Sequence, residues 1–161
     1  SLRAELPSPK ASQVFWSFIA GFLGILVISF LSLETQLFPL FAPFGASAVL
    51  LYGAPTAPFS QPRNLIGGHL ISATIGVTIF NIFGSHFICV ALSVALAIAL
   101  MLVTKTVHPP AGATALLGAV SSSGSYFWVL APVGVGALLL LAVALIVNNM
   151  SEERIYPSYW Y

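Results

Sequence analysis

Long apolar stretches alternate with short polar ones along the whole chain. Four of the apolar stretches contain no charged residue and are 17 to 22 residues long, which suits helices that cross a lipid bilayer. We therefore predict four full-length membrane-spanning helices. They cover residues 14–33, 64–83, 87–103 and 126–147.

Two further apolar stretches, residues 37–60 and 107–120, are interrupted by prolines. Proline has no backbone N–H and breaks a helix interior, so neither stretch can form one continuous helix. A short extended segment followed by about ten helical residues would still cover the bilayer. We predict such a broken span in both places. The extended segments are residues 40–44 and 107–111, and the half-helices are residues 45–54 and 112–121.

The sequence contains an internal repeat with an offset of 67 residues. At this offset PFGASAVL, beginning at Pro43, aligns with PAGATALL, beginning at Pro110, and five of the eight residues are identical. The same offset, without a gap, pairs Gly67 with Gly134 and Asn81 with Asn148. We therefore divide a single transmembrane domain, residues 1–161, into repeats of about residues 14–82 and 83–149.

The order of segments in each repeat is long, broken, long. The chain has four full spans if the broken segments dip into the bilayer and return, and six if they cross. Six spans place all five basic residues on one side, four spans place only three there, and basic residues favour the cytoplasmic side. We predict six spans with both termini inside, so that the two three-segment repeats are inverted relative to each other. The five basic residues are Arg3, Lys10, Arg63, Lys105 and Arg154.

The composition agrees with a membrane protein and excludes several functions. Of the 161 residues 58% are hydrophobic and 6% are charged, whereas soluble domains carry about 25% charged residues. A net charge of +1 provides no basic surface for nucleic acid. Three histidines without a carboxylate nearby make a poor metal site, and the sequence has no nucleophile motif. We expect an all-α membrane protein in contact with the lipid bilayer, with no enzymatic activity and no metal or other cofactor.

The two broken spans predict an anion site. Half-helices of opposite direction would both start near the bilayer centre, with their N-termini facing one another. The free N–H groups and partial positive charge of a helix N-terminus attract anions. Small residues also permit close helix packing, which is the alternative interpretation of these segments. The candidate substrate-binding residues are Gly45, Ala46, Ser47, His108, Gly112, Ala113 and Thr114.

The remaining polar residues have more than one interpretation. His108 could donate to an anion, carry a proton or bond a carbonyl, and an ionisable group inside a membrane is a functional candidate. Lys105 and Arg63 could draw anions toward the site, or they could act as an interfacial anchor and a topology determinant. We interpret His69 as a buried histidine whose hydrogen bonds are satisfied.

Four motifs resemble the HPP family, which takes its name from the His-Pro-Pro sequence found here at residues 108–110. They are APFGASAVLLYG (42–53), QPRNLIGGHLISA (61–73), TVHPPAGATALLGA (106–119) and NNMSEERIYPSYW (148–160). The resemblance implies nitrite transport in the plasma membrane of a cyanobacterium or related bacterium, or in a plastid envelope. It also implies four membrane helices rather than six. A passive anion channel and a non-transport membrane scaffold are the alternatives, and a unit this small is compatible with a homodimer.

Overall fold

The computed structural model describes residues 8–35 and 41–160, and every regular element in these ranges is helical. A π-helical segment, Val49–Gly53, continues α2, another, Val129–Gly134, precedes α6, and a 3-10 turn, Pro58–Ser60, precedes α3. Arg3 and Leu40, which belong to the predictions above, lie outside the described residues. The helices are α1 Ala11–Thr35, α2 Phe41–Ala48, α3 Pro62–Phe83, α4 Phe87–Val103, α5 Ala111–Ser121 and α6 Val135–Asn148.

The helices fall into two length classes. Three helical stretches are long and apolar enough to cross a membrane, and three apolar helices are shorter. The prediction of an all-α protein is confirmed for the described residues, and α4 has the predicted bounds. The long stretches are Ala11–Glu34, Pro62–Phe83 and Val129–Asn148, and the shorter ones are Ala42–Gly53, Phe87–Val103 and Ala111–Ser121.

The first broken segment differs from the prediction. Residues 41–44 were expected to be extended, but α2 begins at Phe41 and carries Pro43 in its first turn. Proline is tolerated there because the first N–H groups of a helix have no partner within the helix. In the second segment residues 107–108 are not helical, residues 109–110 form a turn, and α5 begins at Ala111, one residue before the expected start.

The last predicted span is also interrupted. Regular α-helix begins only at Val135, after a π-helical segment in which Ala131 has extended backbone angles, with φ −135° and ψ 118°. The next residue, Pro132, has no N–H to donate to the preceding turn, which explains the break at this position.

Contacts between the loops define two ends of the bundle. At the first end Lys10 forms a salt bridge with Glu153, and Tyr156 donates to the carbonyl of Ser60. At the second end Asn81 donates to the carbonyl of Gly124. Helices α1, α3 and α5 therefore run toward the second end, and α2, α4 and α6 run toward the first. The described basic residues all lie at the first end: Lys10, Arg63, Lys105 and Arg154.

Helices α3 and α5 cross in very close contact. A Cβ atom on Gly76 of α3 would lie 2.4 Å from the carbonyl oxygen of Ala115 and 2.8 Å from the Cα of Gly118. Two glycines at the crossing let the backbones approach to a distance that any side chain would prevent. This crossing holds together the helices that carry His69 and Thr114, two of the buried polar side chains described below.

The outer faces of α1 and α4 are covered with exposed apolar side chains. Phe18 of α1 is 68% exposed and Phe87 of α4 is 76% exposed. A soluble monomer rarely exposes apolar faces of this extent, whereas a lipid bilayer solvates them. The exposed faces and the apolar helices indicate an integral membrane protein.

Candidate functional site

Four buried polar side chains meet between α2, α3 and α5. Ser47, His69, His108 and Thr114 are each 0% exposed, and we call them the central cluster. The hydroxyl oxygen of Ser47 lies 2.9 Å from Nε2 of His69 and 2.8 Å from Nε2 of His108. Nδ1 of His69 lies 2.8 Å from the hydroxyl oxygen of Thr114. One hydrogen-bonded chain therefore links α2, α3, α5 and the segment before α5.

The cluster lies near the middle of the bundle. His69 is the eighth residue of α3, a helix of 22 residues, and so lies about 5 Å short of the centre of that helix at about 1.5 Å per residue. The preceding residue, Gly68, lets the His-Pro-Pro segment pack directly on α3, because a Cβ there would lie 2.7 Å from the Cβ of His108. Asn64 fixes the same segment by donating to the carbonyl of Val107 at 2.8 Å.

The second ring nitrogen of His108 connects the cluster to the first end of the bundle. Nδ1 of His108 lies 2.7 Å from the carbonyl oxygen of Phe59, in the Pro58–Ser60 turn. The C-terminal tail holds this turn, because the hydroxyl of Tyr156 donates to the carbonyl of Ser60 and the hydroxyl of Tyr159 donates to the carbonyl of Pro58. The cluster thus extends from the bundle interior to a turn covered by the tail.

Three of the seven candidate substrate-binding residues belong to the cluster, namely Ser47, His108 and Thr114. Thr114 lies in the first turn of α5, but Ser47 lies in the second turn of α2, so the site is not formed by two helix N-termini alone. The other four border the cluster without a hydrogen bond to its side chains in the described structure. They are Gly45, Ala46, Gly112 and Ala113.

Open space lies beside the two candidate glycines. No heavy atom lies within 4 Å of a Cβ placed on Gly45 or on Gly112, and both residues are partly exposed. Gly45 lines a groove of about 390 Å³ beside α1, together with Gly21 and Gly53. Backbone is therefore accessible at both positions, in contrast to the completely buried side chains of the cluster.

Arg63 and Lys105 lie together at the first end, away from the cluster. A guanidinium nitrogen of Arg63 donates to the carbonyl of Thr104 at 2.7 Å, which satisfies a carbonyl at the end of α4. Lys105 follows with a φ of 57° and an exposed side chain. Neither residue contacts the four cluster side chains.

The sequence prediction missed the part that His69 has in the cluster. It is buried with both ring nitrogens hydrogen-bonded, as expected, but it also joins Ser47 to Thr114, the two hydroxyls that the internal repeat relates. The internal repeat was the sequence feature that pointed to this role. Ser47 and Thr114 occupy equivalent positions in it, and two such buried hydroxyls need a polar partner between them. Only the tertiary packing places the imidazole of His69 there.

A second buried polar group lies at the first end of the bundle. Arg154 is 8% exposed and donates to the carbonyls of Tyr52 and Gln13, to the side-chain oxygen of Asn148 and to the hydroxyl of Ser17. Burial lowers the pKa of Arg154, and a guanidinium stays protonated in proteins. It borders a cavity of about 400 Å³. Its contacts fix the tail against α1 and the end of the α2 segment.

The described residues contain no group of three or more His, Cys, Asp or Glu side chains arranged to hold a metal ion. The carboxylate of Glu153 lies in an exposed ion pair, where hydrogen bonds from Lys10 and Ser12 hold its pKa below the usual value. The central cluster therefore consists of hydroxyl and imidazole groups, with no described carboxylate hydrogen-bonded to it.

The fold and the exposed apolar faces define a helical integral membrane protein with a polar cluster in its interior. The chain belongs to the HPP family, because the family model described as "HPP, transmembrane region" matches residues 6–157. This membership is consistent with a membrane transporter or channel.

Two similar proteins from Dictyostelium discoideum are both named as transmembrane proteins. One is 39% identical over 166 residues, covering 96% of this chain and 58% of the relative. The other is 41% identical over 171 residues, covering 99% of this chain and 53% of the relative. The chain thus spans about half the length of the curated relatives it matches. No solved structure matches.

Proposed function

We propose that this protein transports a small monovalent anion through the central cluster, with nitrite as the substrate that the family resemblance implies. The observation that carries the proposal is the position of Ser47 and Thr114, two repeat-related hydroxyls that are completely buried near the middle of an apolar bundle. Buried polar groups cost free energy unless they are hydrogen-bonded. Hydroxyl and imidazole N–H groups are donors that can replace the water around a small anion.

The cluster is closed in this conformation, because its side chains bind one another. An anion would have to replace the contact between Ser47 and His108 as α2 and α5 move apart, and the open space at Gly45 and Gly112 leaves room for that movement. The donors are needed, because burying an unpaired ion costs tens of kcal/mol in the idealised case. The partial charge of one helix N-terminus stabilises an anion by only about 0.3–2 kcal/mol.

The proposal includes an inverted repeat of residues 14–82 and 83–149 with six spans. Two equivalent asparagines support it: Asn148 donates to the carbonyl of Leu51 at the end of the first broken segment, and Asn81 donates to the carbonyl of Gly124 just after α5. The helix pairs also correspond, since α1 packs on α2 and α6 as α4 packs on α5 and α3. These two asparagine contacts, each from one half to the other, are the observations that support the proposed repeat.

In this arrangement the first end and both termini face the cytoplasm, since basic residues favour that side. Arg63 and Lys105 would then draw anions at the inner face. The membrane would be the plasma membrane of a cyanobacterium or related bacterium, or a plastid envelope, and the apolar faces would contact lipid or a second copy in a homodimer.

An inside-negative membrane potential opposes the uptake of an anion. Moving one negative charge inward costs about 2.3 kcal/mol for every 100 mV of potential. Uncoupled uptake would need a steep concentration gradient, which consumption of nitrite inside could maintain. Otherwise a proton must accompany the anion, and His108 is the residue proposed to carry it. We expect His108→Ala to slow uptake and to flatten its pH dependence.

The test is nitrite uptake into liposomes that contain the purified protein. Ser47→Ala and Thr114→Val each remove one donor, so we expect uptake to fall roughly 10- to 100-fold, since a hydrogen bond to a charged group contributes about 1.5–3 kcal/mol. Ser93→Ala is the matched control, because Ser93 is also completely buried but bonds to the carbonyls of Val90 and Ala115.

Uptake no faster than in protein-free liposomes would contradict the proposal. Equal slowing by the control and the cluster variants would contradict the assignment of the site. Single-channel conductance in a planar bilayer would indicate a channel rather than a carrier. Unchanged function in folded Gly45→Leu and Gly112→Leu would favour a scaffold.

A further inference from the structure

The hydrogen bonds of the central cluster have one direction, which the carbonyl of Phe59 sets. A carbonyl oxygen only accepts, so Nδ1 of His108 must carry the proton of this 2.7 Å contact. In a neutral imidazole the other nitrogen, Nε2, is then an acceptor. The hydroxyl of Ser47, 2.8 Å away, therefore donates to Nε2 of His108.

The same reasoning fixes His69. The single hydroxyl proton of Ser47 is committed to His108, so Nε2 of His69 must donate to the oxygen of Ser47. Nδ1 of His69 then accepts from the hydroxyl of Thr114. The carbonyl of Pro43 lies 3.0 Å from the same oxygen of Ser47, but donation there would leave lone pairs of Ser47 and His108 facing each other.

The two histidines must therefore be opposite tautomers, with the proton on Nε2 in His69 and on Nδ1 in His108. All donors point from Thr114 toward Phe59, that is, from the bundle interior toward the first end. A chain of this kind can pass a proton by short transfers between neighbours, without movement of any heavy atom over a long distance.

We propose that Thr114, His69, Ser47 and His108 form a one-way proton relay, in which His69 receives the proton that accompanies the transported anion. This rests on the proposed function, and the relay operates when no anion separates Ser47 from His108. Thr114 gives its hydroxyl proton to Nδ1 of His69 and takes the arriving proton in its place, and the proton on Nε2 of His69 moves to the oxygen of Ser47. The hydroxyl proton of Ser47 moves to Nε2 of His108, whose Nδ1 proton leaves to water when the contact with the carbonyl of Phe59 opens toward the first end. One proton enters and one leaves, and nothing is oxidised or reduced.

The relay must recover its resting tautomers after each transfer. After one transfer Nδ1 of His108 has lost its proton and presents a lone pair to the carbonyl oxygen of Phe59. These two lone pairs repel, so the chain must regain its resting arrangement, with the proton on Nδ1 of His108 and on Nε2 of His69 and the Ser47 hydroxyl directed at His108, before the next proton can pass. The turn that holds Phe59 is itself bonded to Tyr156 and Tyr159 of the tail, which keeps the carbonyl in place.

No other titratable group competes for the proton in the described part of the chain. Phe44 of α2 packs edge-on against the ring of His69, and the rings of His69 and His108 lie 5.0 Å apart, centroid to centroid. The described carboxylates are Glu34, Glu152 and Glu153, all exposed, and none bonds to either imidazole. The arriving proton can therefore reside only on the two histidines.

The first experiment reads the tautomers directly. Nitrogen-15 chemical shifts of the imidazole rings in the wild-type protein distinguish a protonated Nδ1 from a protonated Nε2, and the signals are assigned with His69→Gln and His86→Gln. We expect opposite neutral tautomers for His69 and His108. Identical tautomers would overturn the relay, and so would a positively charged ring in the resting state.

The second experiment measures protons moved per nitrite, with a pH-sensitive dye inside the liposomes. We expect about one proton per nitrite in the wild type, because one proton neutralises one monovalent anion. Glutamine keeps an amide donor and acceptor but cannot pass a proton, so His69→Gln should lower this ratio at least about tenfold. His86→Gln, in the loop between α3 and α4, is the control and should keep the wild-type ratio.

The possible outcomes distinguish failure of the proton relay from failure of nitrite as the proposed substrate. A wild-type ratio in folded His69→Gln overturns the relay and leaves nitrite transport intact. If the wild type takes up no nitrite but conducts protons under an imposed potential, and His69→Gln loses that flux, the relay stands and the substrate is wrong. If neither flux exceeds that of protein-free liposomes, both are overturned.

Discussion

Replacing Gly76 with alanine tests the crossing of α3 and α5 that holds His69 against Thr114. The new Cβ would lie 2.4 Å from the carbonyl oxygen of Ala115, 2.8 Å from the Cα of Gly118 and 3.0 Å from the nitrogen of Ala119. All three are backbone atoms of α5, so no side chain can rotate away to relieve the overlap. The two helices must separate instead.

The magnitude follows from this overlap. Bringing the closest contact from 2.4 Å to 3.0 Å, the shortest distance that a real Cβ atom shows, requires a separation of roughly 0.6 Å, which weakens the van der Waals contacts along the crossing. Overpacking of this kind costs about 1–3 kcal/mol, and the higher value applies where only backbone can yield. Alanine also stabilises the helix by about 1 kcal/mol relative to glycine, because of its higher helix propensity. We therefore expect Gly76→Ala to lower the free energy of unfolding by about 2 kcal/mol, the difference between these two contributions.

The separation of α3 from α5 also affects the central cluster. His69 lies two turns before Gly76 on α3, and its contact with Thr114 is 2.8 Å. Adding the separation stretches this contact toward the limit of a hydrogen bond. We expect transport to slow in Gly76→Ala even in the fraction of protein that remains folded, because one link of the cluster is weakened.

The assay is unfolding of the detergent-solubilised protein by a denaturing detergent, followed by helical circular dichroism. Gly112→Ala is the matched control, since it also adds one methyl group to a helical glycine but meets no atom within 4 Å. Gly118→Ala should be intermediate, because its Cβ would lie 3.0 Å from the Cα of Gly76. Unfolding of Gly76→Ala at the wild-type detergent concentration would refute the close crossing.

Three further predictions concern the first end of the bundle and the repeat. Arg154→Ala should destabilise the protein by about 3 kcal/mol in the same unfolding assay, because buried acceptors lose a charged donor; unchanged stability would contradict that role. Asn148→Leu should lower the free energy of unfolding more than Asn81→Leu does, because Asn148 is completely buried and Asn81 is exposed. The reverse order would contradict this prediction. The pKa of Glu153 is lowered in the folded state by Lys10, so this stabilisation is present above the unfolded pKa and is lost as the pH falls through the folded pKa. Lys10→Met should therefore flatten the acid side of the unfolding profile, and an unaltered profile would argue against the pair.

The helices could be predicted well from the sequence because a membrane restricts the choices. Every backbone group in the apolar core must bond within its own helix, and the bilayer thickness sets the length. The bounds of α4 agree for this reason. Pro43 misled the prediction, since proline is equally acceptable before a helix and in its first turn, and sequence alone does not distinguish the two.

The site could be predicted only in part. The internal repeat identified Ser47 and Thr114, and the ionisable side chain of His108 next to the prolines marked it as a candidate. The role of His69 depends on how α3 packs between two other helices, which no local pattern encodes. The glycine contact between Gly76 and Gly118 is likewise a tertiary feature, because glycines elsewhere in the chain, such as Gly112, face open space.

The most direct test of the central claim is an experimental structure of the protein determined with and without nitrite. We predict density for one nitrite ion within hydrogen-bond distance of Ser47, His108 and Thr114, accompanied by loss of the contact between Ser47 and His108. An unchanged central cluster in the presence of nitrite, with the ion bound elsewhere on the protein, would contradict the proposed anion site.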